Sequence, residues 1–224
     1  AGLECSGWGA LTLAEALFRV ARAAEHTSEV AATYATRTLV SNGTNSWAGG
    51  MLRDAGATMT MEAWARNEGS GTYSHPWTAS PALIIPRLLM GLAPIEGAAG
   101  DAWRVVAIRP FPTAVLPEAA LTYPSPRGLF SVSFRASLGR WGDHDSSSQR
   151  AATGGAVVQL NVTVPGNTGA RACLPTYLLP GYGSGRCSTL LDVALTDVPL
   201  QLEGAMLCWP HELSGVHQIE LRCV

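Results

Sequence analysis

The sequence predicts a multidomain chain, α then β, that closes in an antiparallel β-sandwich. A change of periodicity carries the prediction. Up to about residue 94 apolar residues recur at helical spacing, and from residue 103 they alternate in short runs. Between the two regimes, residues 95–102 (IEGAAGDA) form a linker-like stretch of small residues. Helices followed by strands, without interleaving, suit separate domains better than a mixed α/β sheet, so the expected division is 1–97 and 98–224.

The helical part opens with residues 10–24 (ALTLAEALFRVARAA). Leu13, Leu17, Val20 and Ala24 fall on one stripe, and Ala10, Ala14, Phe18 and Ala21 widen it. Ser28 is placed to cap a second helix over about 29–41, with Ala31, Tyr34, Ala35, Thr38 and Leu39 on one face. The turn residues Ser41-Asn42-Gly43-Thr44-Asn45 end it, giving an αα-hairpin. Residues 47–52 (WAGGML) open a further short helix, and a Thr-rich segment then delivers Glu62. Residues 66–76 (RNEGSGTYSHP) read as a polar surface loop. Ser80-Pro81 and the following ALIIPRLLMG predict another helix, with Pro81 in its first turn, Gly91 at its end and Pro86 kinking or splitting it.

Strands are expected at 103–108, 129–135, 157–164, 190–195, 200–207 and 216–223. Phe130, Val132 and Phe134 share one face, as do Ile219, Leu221 and Cys223. Prolines punctuate these runs, and residues 139–155 (GRWGDHDSSSQRAATGG) read as a polar hairpin loop. Six or more short strands in roughly 120 residues are the pattern of a β-sandwich.

Composition excludes several classes. The chain of 224 residues can bury a full core, and its apolar content of 47% is that of a globular protein. Pro86, Arg87 and Pro94 interrupt the longest apolar run, so no membrane span is expected. A net charge of -2 offers nothing to nucleic acid or an anionic membrane. All 15 basic residues are Arg, which removes lysine-based catalysis. The chain starts at Ala1 with no signal-like apolar core and reaches a helical pattern within about ten residues, so an upstream segment is expected.

Of the five cysteines, Cys5 stands alone and the other four lie in the last quarter. Cys173–Cys187 and Cys208–Cys223 are one of three possible pairings of those four, and reduced buried thiols are the alternative. No Cys-x-x-Cys spacing marks a zinc site. Asn42-Gly-Thr44 and Asn161-Val-Thr163 fit the N-glycosylation acceptor pattern, which with the candidate disulfides is compatible with secretion.

Ligand-type side chains concentrate in one place. Glu62, Trp64, His75 and Trp77 fall within sixteen residues rich in Gly, Ser and Thr. Read alone, Glu62 is a carboxylate at a helix start, His75 a loop histidine, and the two indoles are packing residues. Glu68 reads as solvated, and Asp143-His144-Asp145 as a polar hairpin tip, since alternation throws its ligand-type residues to different sides. Ser188, Asp192 and His211 form no nucleophile motif.

In order, Asn45-Ser46-Trp47, Met51-Leu52, Gly56-Ala57-Thr58-Met59-Thr60-Met61-Glu62-Ala63-Trp64, Ser74-His75-Pro76-Trp77 and Leu89-Met90-Gly91-Leu92-Ala93-Pro94 resemble the C-terminal end of the α-L-rhamnosidases of glycoside hydrolase family 78. Downstream, Ile108-Arg109-Pro110, Val162-Thr-Val-Pro-Gly-Asn-Thr168 and Ser214-Gly-Val-His-Gln-Ile-Glu-Leu221 resemble that family's terminal β-sandwich. The resemblance implies that residues 1–97 are the terminal helices of an (α/α)6 catalytic barrel, with the remainder of the barrel upstream.

It also implies an inverting hydrolysis that needs no cofactor or metal. One carboxylic acid protonates the leaving oxygen, and a carboxylate roughly 6.5–9.5 Å away activates water. Glu62 matches the family's general base, and the general acid belongs to the upstream part. His75 matches the histidine that meets the hydroxyls of bound rhamnose, and Trp64 and Trp77 are candidate platforms for the sugar's C–H faces. Where the family often has Asn-His-Tyr, this chain has Ser74-His75-Pro76. The expected partner is a rhamnose-containing glycoside or polysaccharide. The alternative is a non-catalytic fragment or degenerate homologue whose sandwich binds carbohydrate or supports a partner.

Overall fold

The structure is a computed structural model that describes residues 7–64, 72–95, 103–137, 155–179, 187–192, 194–195 and 200–223. The chain forms two compact units, Ala1–Leu89 and Met90–Val224. The second begins upstream of the small-residue stretch because Ala93 and Pro94 (β1) already pair with Ala107 and Val106 of β2 (Val105–Ile108).

In the first unit α1 (Gly7–Ala23) packs against α2 (Ser28–Val40). The buried stripe of α1 is Gly7, Ala10, Ala14, Phe18 and Ala21, and α2 likewise buries small residues, Ala31, Ala32 and Ala35 among them. This corrects the stripe expected from sequence: Leu13 and Val20 are 44% and 43% exposed. Small side chains let two helices approach closely, so the alanine side of α1 turns inward and its larger aliphatics turn out. Ser28 is not a cap either. It is the first residue of α2, its hydroxyl donates to Ala21 O at 2.6 Å, and Thr27 holds the N-cap position without a side-chain bond.

Two wide, π-type helical segments follow. Trp47–Asp54 is capped by Ser46, whose hydroxyl accepts from Gly49 N–H at 2.9 Å. The short helix α3 (Pro81–Ile84) runs into Ile85–Leu89, where Pro86 brings no N–H and the regular ladder gives way, as the proline predicts. Arg22 Nη2 donates to the carbonyls of Arg87 (2.9 Å) and Leu88 (3.2 Å), which satisfies acceptors at that helix end. Among the described residues no helix is long and apolar enough to cross a membrane.

The second unit is a β-sandwich. Its further strands are β3 (Glu118–Ser125), β4 (Gly128–Ser137), β5 (Ala156–Val164), β6 (Gly169–Pro175), β7 (Cys187–Leu191), β8 (Ala194–Leu195), β9 (Gln201–Glu203), β10 (Met206–Cys208) and β11 (Gly215–Cys223). One sheet runs β1-β2-β6-β10-β9 and the other β3-β4-β5-β11-β7-β8. Pairing is antiparallel except between β2 and β6, which run parallel, so the sandwich is not purely antiparallel. Phe130, Val132, Phe134, Val158, Leu160, Ile219 and Leu221 of one sheet meet Val106, Ile108, Ala172 and Leu174 of the other in one core. Gly91 (φ +67°) is required where the chain enters the sheet, since a Cβ there would lie 2.1 Å from Arg109 O.

Disulfides join Cys173 to Cys208 and Cys187 to Cys223. The pairing expected from sequence, Cys173–Cys187 and Cys208–Cys223, is therefore corrected. Register explains the difference: Cys173 lies opposite Cys208 across β6 and β10, and Cys187 opposite Cys223 across β7 and β11. Cys5, Glu68, Asp143-His144-Asp145 and most of the small-residue stretch lie outside the described residues.

Candidate active site

The candidate residues are carried by two extended segments of the first unit, bonded to each other through the backbone. Glu62 N–H donates to Thr72 O at 2.9 Å, and His75 N–H donates to Thr60 O at 2.8 Å. Two threonines reinforce the seam. Thr60 Oγ1 donates to His75 O (3.2 Å), and Thr78 Oγ1 donates to Met61 O (2.7 Å) and His75 O (3.0 Å). Of the loop expected at 66–76, the described part from Thr72 onward is thus a hydrogen-bonded partner of the Glu62 segment.

Behind the seam lies a tryptophan floor. The Trp47 indole N–H donates to Thr78 O at 2.8 Å, and Trp64 meets the Trp47 ring edge-on, with centroids 5.3 Å apart. Met51 and Met61 are buried beside them. Gly50 makes this fit possible: a Cβ there would lie 1.8 Å from Thr44 O and 3.1 Å from Trp64 O. Trp64 is 6% exposed and so packs as part of the floor, whereas Trp77 is 66% exposed and offers its ring outward.

This framework brings Glu62 and His75 together. His75 Nδ1 lies 3.7 Å from Glu62 Oε2 and 3.1 Å from the hydroxyl of Thr72. Thr72 N–H donates to Glu62 Oε2 at 2.9 Å, which orients the carboxylate. The His75 ring stands edge-on to Trp77, with centroids 5.0 Å apart. Its Nε2 is buried with no hydrogen-bond partner among the described residues. Beside the pair lies a recess of about 720 Å³, lined by side chains that include Thr58, Met59, Met61, Thr72 and Tyr73. The arrangement is a carboxylate held at one oxygen, an imidazole with a buried inner nitrogen and an outward-facing apolar ring; Thr72, which bonds the carboxylate, also lines the recess.

Two contributors escaped sequence reasoning. Thr72 carries no motif of its own and becomes visible only once residues 60–62 are known to pair with 72–75. Trp47 lies within the quoted resemblance, but its role as support for Trp64 and Thr78 depends on the fold. Elsewhere, the sulfurs of Cys173 and Cys208 lie within 4.8 Å of the Glu203 carboxylate. Those sulfurs are bonded to each other, and Glu203 is paired with Arg171 and Arg109, so the group presents no thiolate to a metal.

No protein-family model and no curated protein matches the sequence. Solved structures do match. The chain resembles α-L-rhamnosidase from Dictyoglumus thermophilum with a TM-score of 0.59 at 14% identity, over 87% of this chain and 19% of that one. It resembles Streptomyces avermitilis α-L-rhamnosidase, solved with L-rhamnose, with a TM-score of 0.53 at 23% identity, over 86% of this chain and 16% of that one. The native α-L-rhamnosidase from Aspergillus terreus gives 0.53 at 20% identity, over 89% of this chain and 18% of that one. At these identities the likeness is one of fold: the chain shares the fold of part of three α-L-rhamnosidases and spans less than a fifth of their length.

Proposed function

We propose that this chain is the C-terminal portion of an inverting α-L-rhamnosidase. The first unit, Ala1–Leu89, would be the last helices of its (α/α)6 barrel and the second, Met90–Val224, its terminal sandwich. The observation that carries the reading is the site itself. Glu62 and His75, matched to a family's base and sugar contact by sequence resemblance, lie 3.7 Å apart and are joined by Thr72, which lines a ligand-sized recess, in a fold shared with α-L-rhamnosidases.

Glu62 is the general base. Thr72 N–H holds its Oε2, and Oε1 is the oxygen that takes a proton from water. Inversion requires that water to lie between Glu62 and a general acid, roughly 6.5–9.5 Å from it, supplied by the upstream part of the barrel. His75 bonds a hydroxyl of the sugar. Trp77 presents an apolar face to its C–H groups, and Trp64 braces the wall from behind. The substrate class is a terminal α-L-rhamnoside of a glycoside or polysaccharide. Two disulfides suit an oxidising, extracellular setting.

The test is hydrolysis of an aryl α-L-rhamnoside by the longer protein, with the first-formed sugar followed by NMR. Release of β-L-rhamnose is expected. Release of the α anomer would refute inversion, and no hydrolysis at all would favour a non-catalytic homologue.

A further inference from the structure

We infer that Thr72 is a positioning residue: its hydroxyl bridges Glu62 and His75 and fixes the imidazole proton on Nδ1, leaving the buried Nε2 able only to accept a hydrogen bond. The inference rests on the reading of Glu62 as base and His75 as substrate contact. Thr72 touches Glu62 in three ways. Its N–H donates to Glu62 Oε2 (2.9 Å), its carbonyl accepts from Glu62 N–H (2.9 Å), and its hydroxyl lies 3.5 Å from the same Oε2. That hydroxyl also lies 3.1 Å from His75 Nδ1 and 3.4 Å from Ser74 O.

A hydroxyl has one proton to give, so the network has few solutions. If Thr72 donates to Nδ1, the Nδ1 lone pair faces the Glu62 carboxylate at 3.7 Å with no proton between them. With Glu62 ionised that arrangement is electrostatically unfavourable. If Nδ1–H donates to Thr72 Oγ1, the Thr72 hydroxyl is released toward Glu62 Oε2, and all three groups are oriented the same way. The carboxylate is a stronger acceptor than the neutral Ser74 carbonyl. For a neutral imidazole the second arrangement follows, with the proton on Nδ1.

The consequence falls on Nε2. It is buried and has no partner among the described residues, and in this tautomer it can only accept. A group that reaches Nε2 must therefore donate its proton to His75, and an oxygen without a proton is not bound there. Glu62 and the substrate contact are set together through one threonine.

The experiment uses the full chain labelled with 15N-histidine, at a pH where the ring is neutral, with the His75 signals assigned from their loss in His75→Asn. Long-range proton–nitrogen spectra are expected to show a protonated Nδ1 and an unprotonated Nε2. Thr72→Ser keeps the hydroxyl and should keep that pattern. Thr72→Val keeps the side-chain shape and the backbone bonds to Glu62, and should give a mixture of tautomers. In the longer protein Thr72→Val should lower kcat/KM on an aryl α-L-rhamnoside about tenfold, with Thr72→Ser largely restoring it. A protonated Nε2 in the wild type, or a Thr72→Val spectrum identical to wild type, overturns the inference. The spectra need no turnover, so an inactive protein showing the expected tautomer would refute the hydrolase reading and leave the bridge intact.

Discussion

The two units solve the burial problem differently. In the sandwich, the inward faces of β4, β5 and β11 close on the opposing sheet, and Phe130, Val158, Leu160 and Leu221 are almost fully buried. In the helical unit, the buried residues of α1 and α2 are mostly small, with Phe18 and Leu39 the large ones, while Leu13, Val20, Val30 and Tyr34 remain exposed. The sandwich closes its inward faces on each other and leaves Leu129, Leu202 and Val216 exposed singly on its strands. Two helices that keep large aliphatics on their outer faces carry surface suited to further partners. The candidate site sits in the second kind of unit, as expected if its remaining wall comes from elsewhere in a longer protein.

The sharpest way to break this contrast is to cut into the sandwich core. Phe130→Ala should cost about 3–5 kcal/mol, because it removes a fully buried ring from a packed interior. Urea denaturation of the sandwich transition measures it, and a loss below about 1 kcal/mol would mean that the core is not closed. The paired change Leu13→Gln/Val20→Gln should do the opposite in the helical unit. Stability should change by no more than about 0.5 kcal/mol, since glutamine is a good helix former and both sites are exposed. Self-association of the chain, read by sedimentation velocity, should fall. Unchanged association would mean that this face is not the adhesive one.

A smaller effect belongs to Asp192 at the sheet edge. Its carboxylate accepts from Gln218 N–H at 2.8 Å and lies 2.9 Å from His217 Nδ1. Those two bonds, the backbone one first, hold its pKa below the ordinary aspartate value. A group depressed in this way contributes stability above its unfolded value, near pH 4, and loses it as pH falls through the folded value. Asp192→Asn keeps the left-handed backbone (φ +50°), which asparagine tolerates. It should therefore remove under about 1 kcal/mol at neutral pH, given solvent screening, and flatten the acid limb of the stability curve below about pH 4. An acid limb identical to wild type would show that the pair contributes nothing.

Alternation made some strands legible and hid others. Phe130, Val132 and Phe134 alternate because β4 has one buried face, and they were readable for that reason. β3 was hidden by its proline: Pro124 read as a break, yet β3 is an edge strand, where a missing N–H is tolerated. β6 shows buried residues in succession from Ala172 to Pro175, so it carries no period of two. The run 200–207 read as one strand and is a hairpin, because Gly204 (φ +58°) turns the chain between β9 and β10. In the helical unit, helix boundaries followed periodicity, but the choice of inward face depended on how closely α2 approaches. Glu62 and His75 were legible through resemblance, and their mutual distance was not, because it depends on backbone pairing between segments ten or more residues apart.

The most direct measurement is chemical rescue of the proposed base. Glu62→Ala in the longer protein should lower turnover of an aryl α-L-rhamnoside by about 10²–10⁴-fold, the usual worth of a general base. Added azide, a nucleophile that needs no deprotonation, should restore part of the rate and yield the inverted β-rhamnosyl azide. Turnover of Glu62→Ala equal to wild type would contradict the assignment of Glu62 and with it the account of this site.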